Sequence, residues 1–329
     1  TIIIPFRNEA QNLPSLLTAL DKQSYQHAVF LFVDDHSTDG GAEIIQAWRP
    51  QFGERKLLRL SEDQSGKKMA VRNGVREANT EWILFTDADT VPSPDWIASM
   101  MAMGREQGVN FVSGPVSFTG GKSWFERWQI LEFSGLIALG AAAIGIKKPT
   151  MCNGANLMYR KSIFEEVGGF EGNLKVASGD DQFMMHRVHE KYPDSIRFCK
   201  NPAAIVFTAP QAGLSEFLNQ RVRWASKNGQ FERKSVSYEM IGVWFLSFIL
   251  IAGLIGGIVD SRVYPFLLMA FVMKMGIEYL FYAKVLNFFQ QERRIRFFLF
   301  SEIFQIFYVF CIGILGKFVG YQWKERTHR

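Results

Sequence analysis

The sequence predicts an α/β domain built on a mostly parallel sheet, followed by C-terminal transmembrane helices. Two observations carry this. From Thr1 to about Phe118, short β-type runs alternate in strict turn with helical patterns, which places helices on both faces of a mostly parallel sheet. Beyond about Lys234 charge thins out, and Phe-, Leu- and Ile-rich runs at Tyr238 to Val259, Val263 to Tyr282 and Phe297 to Val319 reach the length, roughly 20 residues, that spans a bilayer.

The elements follow in order. "TIIIPF" is the first strand, with a helix around Leu13 to Asp21 behind it. "AVFLFVDD" precedes a helix near Ala42 to Trp48, "KLLRL" a helix from about Lys67 to Ala78, and "WILFTDAD" a helix from Pro94 to Met103; "NFVSGPVSF" is the last strand. Ligands of such sheets gather at the carboxyl ends of the strands. Here those ends carry Arg7-Asn8-Glu9, Asp34-Asp35 and Asp87-Ala88-Asp89. Between Ser123 and Lys148 an aromatic helix is followed by an apolar Gly/Ala run of about a dozen residues, too short to span, so it is core or lies in the interface.

The expected division is a catalytic domain over residues 1–235, with an interfacial segment at about 122–148. Residues 236–329 form a membrane domain of about three transmembrane or interfacial helices. The other reading is that the apolar runs are buried helices of a large soluble core, but three of them at the end of one chain need a second large core to cover them. Polar residues interrupt the runs. Lys274, Glu278, Glu302 and Gln305 should face one another or a polar path, or Lys274 and Glu278 simply pair on one helix. "QQERRIR" and the terminal "KERTHR" are both basic, yet a single span between them puts them on opposite sides, against the preference of basic loops for the cytoplasm.

Of the 329 residues 48% are hydrophobic and 14% aromatic, which excludes a disordered chain. The formal charge of +5 suits an anionic membrane surface, and no RNA- or DNA-binding motif accompanies it, so nucleic acid is not an expected partner. Cys152, Cys199 and Cys311 are odd in number and scattered, which indicates neither a disulfide framework nor a structural zinc site and places the soluble part in a reducing compartment.

Several stretches could carry chemistry. Asp87 and Asp89, two apart in an extended chain, project to one side and can share a hard divalent cation, Mg2+ or Mn2+; the plainer reading is a turn opening before Pro92 and Pro94. Asp35 can accept hydrogen bonds from a base or ribose, or help cap, with the Ser/Thr of "HSTDG" capping the next helix. Lys67 and Lys68 open a helix whose N–H groups already favour anions, although the segment lacks the first Gly and the Ser/Thr of a P-loop. Asp180 and Asp181 open another, where a base is available to a hydroxyl; Ser178 and Asp181 also have capping-box spacing. His186 and His189, without a third ligand in sequence, are surface or packing residues. "QRVRW" alone reads as a basic amphipathic helix on lipid headgroups.

Taken together and in this order, "PFRNE", "VDDHSTDG", "GKKMAVRNG", "TDADT", "NGANLMYRKSIFEEVGGF", "SGDD" and "QRVRW" resemble the family 2 glycosyltransferases, membrane-bound inverting enzymes with a Rossmann-like GT-A domain. The resemblance covers essentially the whole chain. It implies that Asp35 contacts the nucleotide base, that Pro5 and Glu9 help wall the nucleoside pocket, and that Lys67, Asp87 and Asp89 serve the donor, with Asp89 and Asp87 on the metal. It implies Asp181 as general base and Arg223 as the catalytic cation at the diphosphate. Asn156, Asp180, Gln220 and Trp224 fall on the acceptor side.

The implied function is transfer of a sugar from a nucleotide-diphosphate donor, UDP-linked rather than GDP-linked, to a lipid or saccharide acceptor. The implied location is the cytoplasmic face of the cell membrane, in a multi-pass protein. Alternatives are a processive polysaccharide synthase that exports its product and a non-catalytic nucleotide-sugar-binding protein. Two departures from the family pattern, Gly-Asp-Asp in place of Glu-Asp and Arg72 where relatives often carry Leu, remove no needed group but bar copying sugar specificity.

Overall fold

A computed structural model describes residues 1–171, 179–225, 234–318, 321–323 and 326–328. Ser178 of the expected capping box, Val319 at the end of the third apolar run, and Lys324, Glu325 and Arg329 of the basic terminus lie outside the described residues.

The first half alternates as expected: β1 (Ile2–Phe6), α1 (Leu13–Asp21), β2 (Val29–Asp34), α2 (Gly41–Ala47), β3 (Glu54–Arg59), α3 (Lys67–Glu77) and β4 (Trp82–Phe85). These strands lie side by side in the order β3-β2-β1-β4, all parallel, so the winding reverses between β1 and β4. At such a reversal the helices leave in opposite directions and open a crevice at the strands' carboxyl ends.

After β5 (Thr90–Pro92) and α4 (Trp96–Gly104) come β6 (Phe111–Ser113), β7 (Val116–Phe118), α5 (Trp124–Gly145), β8 (Leu157–Arg160), α6 (Lys161–Glu166), α7 (Asp180–Lys191), β9 (Ile196–Phe198) and β10 (Val206–Thr208). The main sheet has seven strands, β3-β2-β1-β4-β8-β6-β9, with β8 antiparallel to both neighbours; β5-β10-β7 form a second sheet.

"NFVSGPVSF" is therefore two strands in two sheets. Pro115 has no N–H for a ladder, while its carbonyl accepts Val206 N at 3.0 Å. Gly114 N donates to Asn156 O at 2.8 Å, and a Cβ on Gly114 would collide with the Asn156 side chain.

Strand alternation divides the core. Ile2, Ile4, Phe6, Phe30 and Phe32 face α1, α2 and α4, whereas Ile3, Leu31 and Val33 face α3, α6 and α7. A strand buried on both sides reads as an unbroken apolar run, as "IIIPF" and "VFLFV" do, and each fully buried side chain of this kind contributes about 1.5–3 kcal/mol.

The rest is helical: α8 (Leu214–Ala225), α9 (Lys234–Val259), α10 (Tyr264–Phe288) and α11 (Phe298–Phe318). Contacts do not divide the chain at the expected residue 235. One unit comprises Thr1–Thr119 with Leu136–Ala209, and the other Gly120–Gly135 with Pro210–Arg329. The reason is aromatic: within the second unit Trp128 of α5 meets Phe217 of α8 at 5.0 Å and Phe304 and Tyr308 of α11 at 4.6 and 5.1 Å, centroid to centroid.

Among the described residues four helices are long and apolar enough to cross a membrane: Trp124–Gly145, Ile241–Val259, Ser261–Phe288 and Glu292–Leu315. The first corrects an expectation, because the aromatic helix and the Gly/Ala run are one continuous helix of 22 residues. Phe266, Leu268, Ile277 and Leu280 of α10 are exposed, while Lys274 pairs with both Glu278 and, from α11, Glu302. The interrupting charges do face one another.

Candidate active site

Parallel pairing brings the carboxyl ends of β1, β2 and β4 to one edge, and antiparallel β8 starts there, with Leu157 opposite Phe85. Two residues just past these strands take left-handed backbone, Asn8 at φ 53° and His36 at φ 60°. Local hydrogen bonds hold both: Asn8 Oδ1 accepts Thr38 N at 2.9 Å, and His36 Nε2 lies 2.9 Å from Gln64 O. Ser37 Oγ accepts Asn8 N at 3.1 Å, so the "HSTDG" hydroxyls do not cap α2, whose N-cap is the left-handed Gly40.

At this edge a small cleft opens. Its charged lining is Lys67, Asp87, Asp180 and Asp181; Pro5 also lines it, and Phe85, Tyr159, Phe170 and Met184 give it an apolar wall. Lys67 stands at the start of α3 and bonds to Asp87. Burial works against its ammonium, but Asp87, Asp180 and Asp181 outweigh that and hold its pKa above the ordinary lysine value. One positive against three negative side chains leaves this set with a formal charge of −2 (+1 − 3). Burial, reinforced by Asp180, raises the Tyr159 hydroxyl well above its usual value, keeping it neutral.

Asp181 is fixed by the backbone. Its Oδ2 accepts Gly154 N at 2.9 Å and its Oδ1 accepts Gln182 N at 2.8 Å. Asp180 begins α7 after left-handed Gly179. Thus Pro5, Lys67, Asp87, Asp180 and Asp181, five of the residues singled out from sequence, meet in one place.

The others lie elsewhere. Asp35 is 5% exposed, and its Oδ2 accepts the N–H of Gly66, the N-cap of α3, at 3.0 Å, with Arg7 3.9 Å from Oδ1. Glu9 accepts Asn12 Nδ2 at 2.6 Å through Oε2. Asp87 and Asp89 do not continue β4 as an extended pair: the chain turns at Ala88 and Asp89, and Thr90 Oγ1 donates to Asp87 O at 2.8 Å. Ala88 points into the core while Asp89 stays exposed. Lys68 does not accompany Lys67, since it is buried with its ammonium 5.3 Å from the Phe183 ring centroid.

Asn156 is corrected outright. It is fully buried, its Oδ1 accepts Trp96 Nε1 at 2.8 Å, and its Nδ2 donates to Pro115 O and Ala204 O at 2.8 Å each. That amide braces the core and has no face for an acceptor. His186 is likewise a core residue, with Nε2 3.2 Å from Thr150 O.

Gln220, Arg223 and Trp224 sit on α8 of the second unit. There the structure singles out a residue that the sequence reading passed over, Arg221, which is 2% exposed and paired with equally inaccessible Glu132 of α5. The signal was present: Phe217 and Arg221 are four apart, on the buried stripe of an amphipathic helix.

Asp87, bonded to Lys67, and exposed Asp89 offer hard oxygens to a divalent cation, while no cluster of three or more ligating side chains exists among the described residues. Such a donor set leaves most of a metal's shell to substrate oxygens and water.

The glycosyl transferase family 2 model matches residues 1–168. Glycosyltransferase AglE of Haloferax volcanii is 28% identical over 184 residues, 55% of this chain and 58% of that protein. The undecaprenyl-phosphate 4-deoxy-4-formamido-L-arabinose transferase of Serratia proteamaculans is 30% identical over 130 residues, 39% of each chain. Both matches thus span less than two thirds of the relative's length. Among solved structures, the mannosyltransferase PcManGT from Pyrobaculum calidifontis, in complex with GDP-Man and Mn2+, aligns over 92% of this chain and 86% of its own with a TM-score of 0.58 and 19% identity, a likeness of fold.

Proposed function

The chain belongs to glycosyl transferase family 2, with its GT-A fold, and on that footing we propose that it is a membrane-bound inverting enzyme moving one sugar from a UDP-sugar to a lipid-linked or saccharide acceptor. The observation that carries this is the convergence of Lys67, Asp87, Asp180 and Asp181 on one cavity at the winding reversal. Four apolar helices, and a relative whose name specifies undecaprenyl phosphate, support a membrane setting and a lipid acceptor. The catalytic unit then faces the cytoplasm.

Each residue has a task in this reading. Asp181, oriented by Gly154 N and Gln182 N, takes the proton of the acceptor hydroxyl as its oxygen attacks the anomeric carbon. The new C–O bond forms opposite the breaking one, the nucleoside diphosphate leaves with the bonding electrons, and the configuration inverts. Asp35 and Glu9 serve the nucleoside, Pro5 walls the cavity, and Lys67 shifts from Asp87 to the diphosphate. The roles of Arg223 at the departing charge and of Gln220, Trp224 and Asp180 toward the acceptor are taken from the family motif alone. A divalent cation, held by Asp87 and Asp89, would supply charge neutralisation at the diphosphate. Three carboxylates against one ammonium in the described lining support a need for it, because they repel a bare diphosphate.

The test is nucleoside diphosphate release from UDP-glucose and GDP-mannose by the chain in membranes, with Mg2+ or Mn2+ and with chelator, followed by mass analysis of the product. Metal-dependent release with a product one sugar heavier is expected. Donor binding without release on addition of membrane lipid extract overturns the catalytic reading, and release that survives chelation overturns the metal.

A further inference from the structure

The second unit carries a buried ion pair, Arg221 with Glu132, that neither the family motif nor the proposed chemistry uses. Arg221 donates to Glu132 and, through one guanidinium nitrogen, to Gln220 Oε1 at 2.9 Å. Its guanidinium carbon lies 4.1 Å from the Trp224 ring centroid and 4.6 Å from that of Phe217. Glu132 also accepts the Tyr308 hydroxyl at 3.3 Å, so α5, α8 and α11 meet at one carboxylate. Phe133, next to Glu132, packs on Trp224 with ring centroids 6.0 Å apart.

We propose that Arg221, anchored by Glu132, is a positioning residue that sets the side chains of Gln220 and Trp224. A guanidinium only donates, so its bond to Gln220 fixes that amide with Oε1 inward and presents Nε2 as the group Gln220 offers to a ligand. The stack over Trp224 fixes the plane of the indole. Lysine cannot replace this arrangement, because an ammonium has no planar fork to serve Glu132 and Gln220 while lying flat on a ring. The proposal rests on the acceptor-side reading of Gln220 and Trp224.

The experiment compares Arg221→Lys, the double variant Arg221→Met/Glu132→Leu, Gln220→Ala and Trp224→Ala in full-length chain reconstituted in membranes. Farnesyl phosphate and octyl glucoside serve as acceptor probes, with UDP-glucose and GDP-mannose as donors. Arg221→Lys is expected to raise acceptor KM about tenfold and leave donor KM within about twofold, matching Gln220→Ala. The double variant leaves no buried charge unpaired and is expected to show the same rise with normal thermal stability. A structural ion pair alone predicts instead that lysine, or removal of both charges, restores normal KM, and that result overturns the proposal.

A readout independent of turnover is the emission of Trp224, taken as the difference from Trp224→Phe in each background. Arg221→Lys should raise its acrylamide quenching constant; an unchanged constant overturns the proposal. If Gln220→Ala and Trp224→Ala leave acceptor KM alone, the acceptor-side reading falls; if they raise it and Arg221→Lys does not, positioning by Arg221 falls.

Discussion

Replacing Asp181 by Asn changes one atom and tests the proposed base. In the parent, both carboxylate oxygens accept backbone hydrogens, from Gly154 N at 2.9 Å and Gln182 N at 2.8 Å. An amide has one acceptor oxygen, so one of these N–H groups loses its partner and meets another donor, which costs about 1–3 kcal/mol of stability. Losing the proton acceptor costs more at the barrier: a positioned base contributes about 10²–10⁴ in rate, which is about 3–5 kcal/mol. The two effects are separable. Nucleoside diphosphate release at saturating donor gives kcat, calorimetric titration with donor gives Kd, and thermal unfolding reports the structural cost. The expected outcome is a kcat lower by about 10²–10⁴ with donor Kd within about threefold. Asp180→Asn, whose carboxylate faces Lys67 at longer range, should lower kcat by less than about tenfold. A kcat for Asp181→Asn within tenfold of the parent, or a larger loss for Asp180→Asn, refutes Asp181 as base.

Three further outcomes follow from the same cavity and its support. Lys67→Met should raise donor KM by about tenfold or more, measured by the same release assay, because it removes an ammonium that attracts the diphosphate and offsets Asp87, Asp180 and Asp181. Since the folded pKa of Lys67 lies above its unfolded value of about 10.4, its contribution is complete below that value and is lost only as pH rises through the folded pKa; donor KM should therefore show no lysine-linked step between about pH 6 and 9. Asn156→Leu strands Trp96 Nε1 and frees the carbonyls of Pro115 and Ala204, and chemical unfolding followed by tryptophan emission should show a loss of about 2–5 kcal/mol.

Much of the fold was legible because its signals are local. Short unbroken β-branched and aromatic runs such as "VFLFV", alternating with helical patterns, read as strands buried on both faces, and their polar ends marked the edge where the cleft lies. What escaped depended on partners distant in sequence. The Gly/Ala run of α5 read as separate from the aromatic helix before it, yet Gly135 lets the Tyr282 ring approach and Gly140 stands 2.9 Å, at Cβ, from Met151 O. Asn156 belonged to a motif, and only its three bonds, to Trp96, Pro115 and Ala204, show that it braces the core. Arg221 was hidden beside Arg223 because residue type alone does not say which of two neighbouring arginines faces inward; Glu132, 89 residues earlier, decides it.

The pairing of Lys274 with Glu278 and Glu302 bears on how the chain enters a bilayer. Synthesis delivers α10 first, with an ammonium and a carboxylate in its middle, each costing about 2.5–3.5 kcal/mol at the centre of a membrane. Glu302 arrives only with α11, and Lys274 then gains a second carboxylate from the neighbouring helix. On the proposed membrane placement, Glu302 would lower the cost of Lys274 in lipid further than Glu278 alone, so α10 and α11 are expected to integrate more readily together than singly, and the sequence between them would then bear on insertion as well as on topology.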